Sequence, residues 1–81
     1  MWTLPGFPRI IFDPRVMGGQ ACIRNTRVTV SLILNLLANG MTPEEVVDAY
    51  PYLELEDVRE AIRYAAWLAE ETVDTLELTS A

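Results

Sequence analysis

The amino-acid sequence predicts a mostly α-helical domain, with three helices in a helix-turn-helix core and a short N-terminal β-hairpin. Three observations predict it. Residues 31–71 repeat apolar side chains at helical spacing, punctuated by Gly40 and Pro51. Runs rich in strand-forming residues fall within the first 30 positions. The chain has 81 residues, which is enough for one domain.

Residues 1–8 are predicted to form an irregular N-terminal arm. Two prolines and a glycine within these eight residues disfavour a regular helix or strand. The arm also carries the aromatic residues Trp2 and Phe7. We therefore expect it to pack on another surface, such as a second subunit.

The β-hairpin is predicted from short runs of strand-forming residues. Residues 9–12 resemble a strand that an Asp-Pro pair ends. Residues 21–24 and 27–30 flank Asn25 and Thr26, and asparagine tolerates the positive φ that a tight turn requires. We expect this turn to connect two short strands.

The first two helices are predicted from their boundaries. Residues 31–39 are apolar on almost every side, and Gly40 supplies the left-handed residue that ends a helix, so we expect this helix to be central. Thr42, Pro43 and Glu45 form a start signal for the next helix: an N-cap, a first helical residue and the partner that completes a capping box.

The second helix is predicted to end at Pro51, and the third to cover residues 55–71. The helical domain is thus expected over residues 9–71, between the arm and a short acidic C-terminal tail, residues 72–81.

The turn between the second and third helices, residues 51–54, has the length found in a helix-turn-helix unit. In such a unit the start of the later helix enters the major groove of DNA. Arg59 and Arg63 are candidate DNA contacts there, although carboxylates surround them. Compact helix packing without a role in DNA binding explains the turn equally well.

The composition predicts a binding protein rather than an enzyme. The chain has no histidine, no lysine and one cysteine, Cys22, which is expected to be buried and unreactive, so no metal or cofactor is expected. A hydrophobic content of 51% is high for so short a chain, and we expect a homo-oligomer, most simply a dimer. No signal peptide or membrane span is recognised, and a cytoplasmic location is expected.

The charges are unevenly distributed. The net charge is −6, yet residues 1–30 carry four arginines against one carboxylate, and residues 31–81 carry two arginines against eleven carboxylates. DNA would therefore be met by the N-terminal third. The candidate contacts are Arg24, Asn25, Thr26 and Arg27. The alternative is a solvated turn whose arginines pair with acidic helices of the same or a neighbouring subunit.

The third helix carries Tyr64 and Trp67 on a mostly polar face. Aromatic residues are enriched at protein interfaces, so these two, with Trp2 and Phe7 of the arm, form the predicted partner or dimer interface. The alternative is that the aromatic side chains wrap over a small core.

Several motifs occur in an order that resembles one protein family. They are Ile11-Phe12-Asp13-Pro14, the glycine-led residues 18–30 with Ile23-Arg24-Asn25-Thr26-Arg27, residues 36–45, Ala49-Tyr50-Pro51-Tyr52-Leu53-Glu54, Asp57-Val58-Arg59 and Tyr64-Ala65-Ala66. Together they resemble domain-of-unknown-function family 433 (DUF433) over about residues 9–71, and this resemblance implies a VapB-type antitoxin of bacteria. The chain departs from the family at Asn25, where glycine is usual, and at Leu55, where proline is frequent.

This resemblance implies a homeodomain-like or winged-helix-like helix-turn-helix fold. It also implies the antitoxin of a type II toxin–antitoxin pair, which binds a PIN-like ribonuclease toxin and its own operator DNA as a dimer. The acidic composition favours an alternative function, a small protein–protein adaptor without DNA binding.

Overall fold

The computed structural model describes the backbone of residues 1–80 and the side chains of residues 1–70. Its elements are β1 (Trp2–Leu4), β2 (Phe7–Phe12), a 3₁₀ helix (Met17–Gly19), β3 (Ala21–Ile23), α1 (Val30–Ala38), α2 (Pro43–Ala49) and α3 (Leu55–Ser80). The strands form one antiparallel sheet in the order β1-β2-β3. The prediction of a mostly α-helical, helix-turn-helix core with a β-hairpin is therefore wrong. The fold is α+β, and about half of the residues are helical.

Much of the difference lies at the N-terminus, where the predicted arm contains a strand. Pro5 and Gly6 occupy the turn between β1 and β2, and Gly6 has a φ of 87°, which glycine adopts freely. Pro8 lies within β2 but belongs to neither set of paired residues described for that strand, so its missing N–H costs no ladder hydrogen bond. The residues that disfavour strands thus fall in the turn and at an unpaired position, and β1 and β2 pair around them.

The predicted hairpin around Asn25 is shorter than expected. β3 pairs chiefly with β2, where Ile23 lies opposite Ile10. On its other side, Cys22 forms an isolated bridge with Thr29. Asn25 has a φ of 63°, the left-handed conformation expected for this position. The chain between β3 and α1 is therefore mostly a turn rather than a second strand.

The helix boundaries follow local signals in the sequence. The Glu45 N–H donates to Thr42 Oγ1 at 3.1 Å, and the Thr42 N–H donates to Glu45 Oε1 at 2.9 Å, which confirms the capping box. Gly40 follows α1 with a φ of 100°. α3 begins at the predicted residue but continues to Ser80, beyond the expected end near Glu71.

The core lies between one face of the sheet and the three helices. Its buried apolar residues are Ile10, Ile23, Val28, Val30, Ile33, Val46, Leu53, Val58 and Ala61. α3 packs against β2, α1 and α2, so it joins the sheet to the other helices. Across the part of the chain that the structure describes, no helix has the length and hydropathy required to span a bilayer.

Candidate anion-binding turn and apolar groove

The arginines differ in whether carboxylates of the same chain neutralise them. Arg9, on β2, has its Nη1 2.9 Å from Glu54 Oε1 and 3.0 Å from Asp57 Oδ1. These hydrogen bonds, above all the one to Glu54, raise the pKa of Arg9 above its usual value. The backbone N–H of Arg9 donates to the carboxylate of Glu60. Arg9 therefore joins β2 to the start of α3.

Arg15 is matched by Asp13. Its Nε lies 3.2 Å from Asp13 Oδ1, and the backbone N–H of Arg15 donates to the same oxygen at 3.0 Å. These bonds, the backbone one first, lower the pKa of Asp13 below its usual range. The Arg15 side chain is 84% exposed, so this is a surface ion pair.

The two arginines of α3 are also paired. Arg59 Nη1 lies 2.7 Å from Glu56 Oε1, and Arg63 Nη2 lies 3.3 Å from Glu60 Oε1. Arg63 also sits over the ring of Phe7, 5.5 Å from its centroid. That Arg59 and Arg63 contact DNA stays a prediction, but their charges are already matched within the helix.

Arg24 and Arg27 differ from these four, because neither side chain pairs with any described residue. Both are exposed. The backbone between them is well defined: Asn25 is left-handed, and the Thr26 hydroxyl donates to the last carbonyl of β3 at 2.7 Å and accepts the N–H two residues on at 3.0 Å. The predicted DNA contacts of residues 24–27 thus form one ordered, cationic turn.

A shallow hollow of about 500 Å³ lies beside this turn. Asn25, Thr26 and Arg27 line it together with Ile11 and Tyr52. Tyr52, in the turn between α2 and α3, is 63% exposed, and a ring so placed can stack on a nucleobase. Tyr52 was not among the site residues predicted from the sequence. Its position in a polar turn was the available signal.

Of the four aromatic residues predicted as an interface, Phe7 and Tyr64 are half-buried, whereas Trp2 and Trp67 are exposed. Phe7 and Tyr64 are half-buried and meet edge to face with centroids 5.6 Å apart, and Trp67 lies 5.9 Å from Phe7. These contacts tie β2 to α3 within one chain, the alternative that the sequence left open. Trp2 and Trp67 remain 56% and 40% exposed, and their role at an interface stays a prediction.

A second hollow of about 550 Å³, the α1–α3 groove, lies between α1, α3 and the start of β3 and is open to solvent. Every described residue that lines it is uncharged, and most of the lining surface is apolar. The contributors include Ala21, Leu34, Asn35, Ala38, Tyr64 and Leu68. This groove was not predicted from the sequence. The available signal was the absence of charge from residues 28–43.

Among the described side chains, no three His, Cys, Asp or Glu residues are grouped so that they could hold a metal ion. Cys22 is 1% exposed, as predicted, and burial raises the pKa of its thiol. The thiol form is therefore favoured, and this form is a poor nucleophile.

The fold and these surfaces define a small α+β domain with an exposed basic turn. Residues 10–65 match the family described as Protein of unknown function (DUF433), and the chain belongs to that family. It is similar to the crystal structure of a DUF433 member protein from Anabaena variabilis ATCC 29413, with 33% identity, a TM-score of 0.71 and coverage of 85% of this chain and 68% of that chain. No curated protein matches. Membership of DUF433, predicted from the motifs, is thus confirmed, whereas the VapB-type antitoxin role stays a prediction.

Proposed function

We propose that this chain is the antitoxin of a type II toxin–antitoxin pair, a dimer that binds a PIN-like ribonuclease toxin and contacts its own operator DNA through residues 24–27. The observation that carries the proposal is the pattern of arginine pairing. Four of the six arginines are matched by carboxylates of the same chain, whereas Arg24 and Arg27 are exposed and unmatched among the described residues. Two such cations on one turn are suited to DNA phosphates.

The acidic character of the chain restricts the proposed DNA contact to this turn. The first turn of α3 carries Glu56 and Asp57, so presenting α3 to DNA would bring carboxylates towards phosphates. Two phosphate contacts give a log–log salt slope of about −2 per copy, against about −5 to −9 for proteins with six to ten contacts. The expected binding is therefore weak for one copy and stronger for a dimer.

The proposed toxin contact uses the opposite charge. Exposed carboxylates line α2 and the start of α3, namely Glu44, Glu45, Asp48, Glu54 and Glu56, and further acidic residues occur in the sequence between positions 70 and 77. A surface rich in carboxylates complements a nuclease whose active site is basic or contains a metal ion. DNA and toxin would then contact different parts of the chain, so each contact can be tested separately.

The DNA contact is tested with a fragment of the gene's own promoter. Replacing Arg24 and Arg27 together with alanine should lower the affinity by about tenfold or more and reduce the salt slope by about one for each arginine, because each loses a phosphate contact. Fluorescence anisotropy across a series of salt concentrations measures both quantities.

Arg15→Ala is the matched control for the single variants Arg24→Ala and Arg27→Ala. It removes one exposed arginine whose charge is already matched by Asp13, so promoter binding should stay close to that of the wild type. If Arg15→Ala and Arg24→Ala lowered the affinity equally, the turn would affect DNA binding only through the net charge of the chain. Unchanged binding by the double variant would remove the turn from the DNA site.

The toxin contact is tested with the product of the gene beside this one, which the proposal expects to be a PIN-like ribonuclease. The purified chain should form a complex with that nuclease and suppress most of its RNA cleavage, more weakly at high salt, because the proposed contact is between opposite charges. A basic ribonuclease of unrelated sequence is the control and should stay active. Inhibition of both enzymes, or of neither, would contradict a dedicated antitoxin.

The adaptor function remains the second candidate, and the same arginine pairing favours it. With a net charge of −6 and four arginines matched internally, little positive surface is left for a polyanion. An adaptor would bind its protein partner while ignoring promoter DNA at every salt concentration. The two experiments above separate this outcome from the proposed antitoxin.

A further inference from the structure

We propose that the α1–α3 groove is the surface through which two copies of this chain associate, with the exposed face of α1 from one copy lying against the groove of the other. The inference deepens the proposed function, in which the antitoxin acts as a dimer, by naming the contact surface. It requires neither DNA nor toxin to be bound.

The α1–α3 groove stands out because it carries no charge. All the described residues that line it are uncharged, and the whole of α1 lies within residues 28–43, which contain no charged side chain. In a chain with 22% charged residues, this is a large uncharged face. Depletion of charge together with exposed apolar area marks the centre of a protein interface.

Electrostatics favours a second copy as the occupant. Two chains with a net charge of −6 repel each other, and the other helical faces expose carboxylates: Glu44, Glu45 and Asp48 on α2, and Glu56 at the start of α3. A contact between copies through those faces would place like charges opposite one another. A contact through the groove avoids this repulsion. The same uncharged face of another copy is a suitable partner for it.

The shape of α1 suits a two-fold contact. Ser31, Asn35 and Ala38 are all exposed and follow one another at i, i+4 and i+7, so they form one stripe along the helix. Side chains of this size let helix axes approach to about 8 Å. Leu34 and Tyr64 are half-buried in the groove and would lose their remaining contact with water. In a two-fold dimer the same residues of both copies meet.

The same contact would fix the two basic turns relative to each other. Thr29 is the N-cap of α1 and follows Arg27 by two residues, so pairing through α1 holds both turns in one rigid assembly. The dimer presents four unmatched arginines instead of two. The expected salt slope for DNA then doubles to about −4.

The test is the oligomeric state of the full chain, measured by sedimentation velocity without DNA or toxin. Ala38→Glu should weaken self-association by about 100-fold or more, because it places carboxylates from both copies in the contact. Ala49→Glu is the matched control: Ala49 is likewise the exposed last residue of its helix but does not line the groove. A second pair of variants compares two residues of similar exposure. Leu68→Glu is the test, since Leu68 lines the groove and is 44% exposed, and Ile62→Glu is the control, since Ile62 lies outside the groove and is 41% exposed.

The salt dependence gives an independent readout. Raising NaCl from about 50 to 500 mM should strengthen self-association, because salt screens the repulsion between two acidic copies, whereas DNA binding weakens over the same range. A wild-type chain that stays monomeric, a dimer insensitive to Ala38→Glu and Leu68→Glu, or a dimer equally disrupted by both controls would overturn the proposal. A groove-dependent dimer that ignores promoter DNA would support it while counting against the proposed function.

Discussion

Replacing Ile33 with alanine is expected to lower the free energy of unfolding by about 2–5 kcal/mol. Ile33 is fully buried on α1, within the cluster formed by the sheet and the three helices. The loss combines the transfer energy of the removed methylene and methyl groups with the cavity that remains. A domain of 81 residues has a total stability of about 4–12 kcal/mol, so this variant should lose a large share of its stability. Urea denaturation followed by far-UV circular dichroism measures the change.

Ile62→Ala is the control for this experiment. Ile62 has the same side chain and also lies in a helix, but it is 41% exposed and outside the core cluster. Its replacement should change the free energy of unfolding by no more than about 0.5 kcal/mol. Similar losses for Ile33→Ala and Ile62→Ala would contradict the placement of the core between the sheet and α1.

Asp57→Ala should also be destabilising, by about 2 kcal/mol, because it removes the hydrogen bonds that the buried Asp57 carboxylate accepts from Arg9 and from the Glu54 N–H. The Asp57 side chain is 7% exposed. One of its oxygens lies 3.0 Å from Arg9 Nη1, and the other accepts the Glu54 N–H at 2.8 Å. The substitution would leave Glu54 as the carboxylate partner of Arg9. It would also remove the acceptor of the Glu54 N–H at the start of α3. Urea denaturation measures the loss, and circular dichroism checks that the variant still folds.

The neighbouring Glu56 provides the comparison. It belongs to the same helical turn and pairs with Arg59, but its side chain is 59% exposed. Glu56→Ala should cost no more than about 1 kcal/mol, since surface ion pairs contribute little. If the two alanine variants were equally stable, the network around Arg9 would not hold the sheet to α3.

Features that depend on neighbouring residues could be predicted from the sequence. The capping box between Thr42 and Glu45 joins residues three positions apart, and the left-handed conformation of Asn25 belongs to a single turn. Such contacts are encoded in short motifs. The position of the candidate basic turn follows for the same reason.

The sheet could not be predicted in this way. Pro5 and Gly6 indicated an irregular arm, because both residues disfavour a strand that contains them. They fall in a turn instead, and their place there is set by the pairing of β1 with β2. The contacts of Arg9 with Glu54 and Asp57 join residues 45 and 48 positions apart, and charge counting along the chain cannot find them. Which arginines stay unmatched is therefore visible only in three dimensions.

The hydrogen bond from the Arg9 backbone to Glu60 joins residues 51 positions apart, so a backbone donor on the central strand β2 is satisfied by a side chain from the far half of the protein. During synthesis the N-terminal strands leave the ribosome first. Until α3 follows, the Arg9 N–H lacks its Glu60 partner and the apolar face of the strands is uncovered. We therefore expect the sheet to gain stability only when α3 packs on it, so that the small domain folds cooperatively.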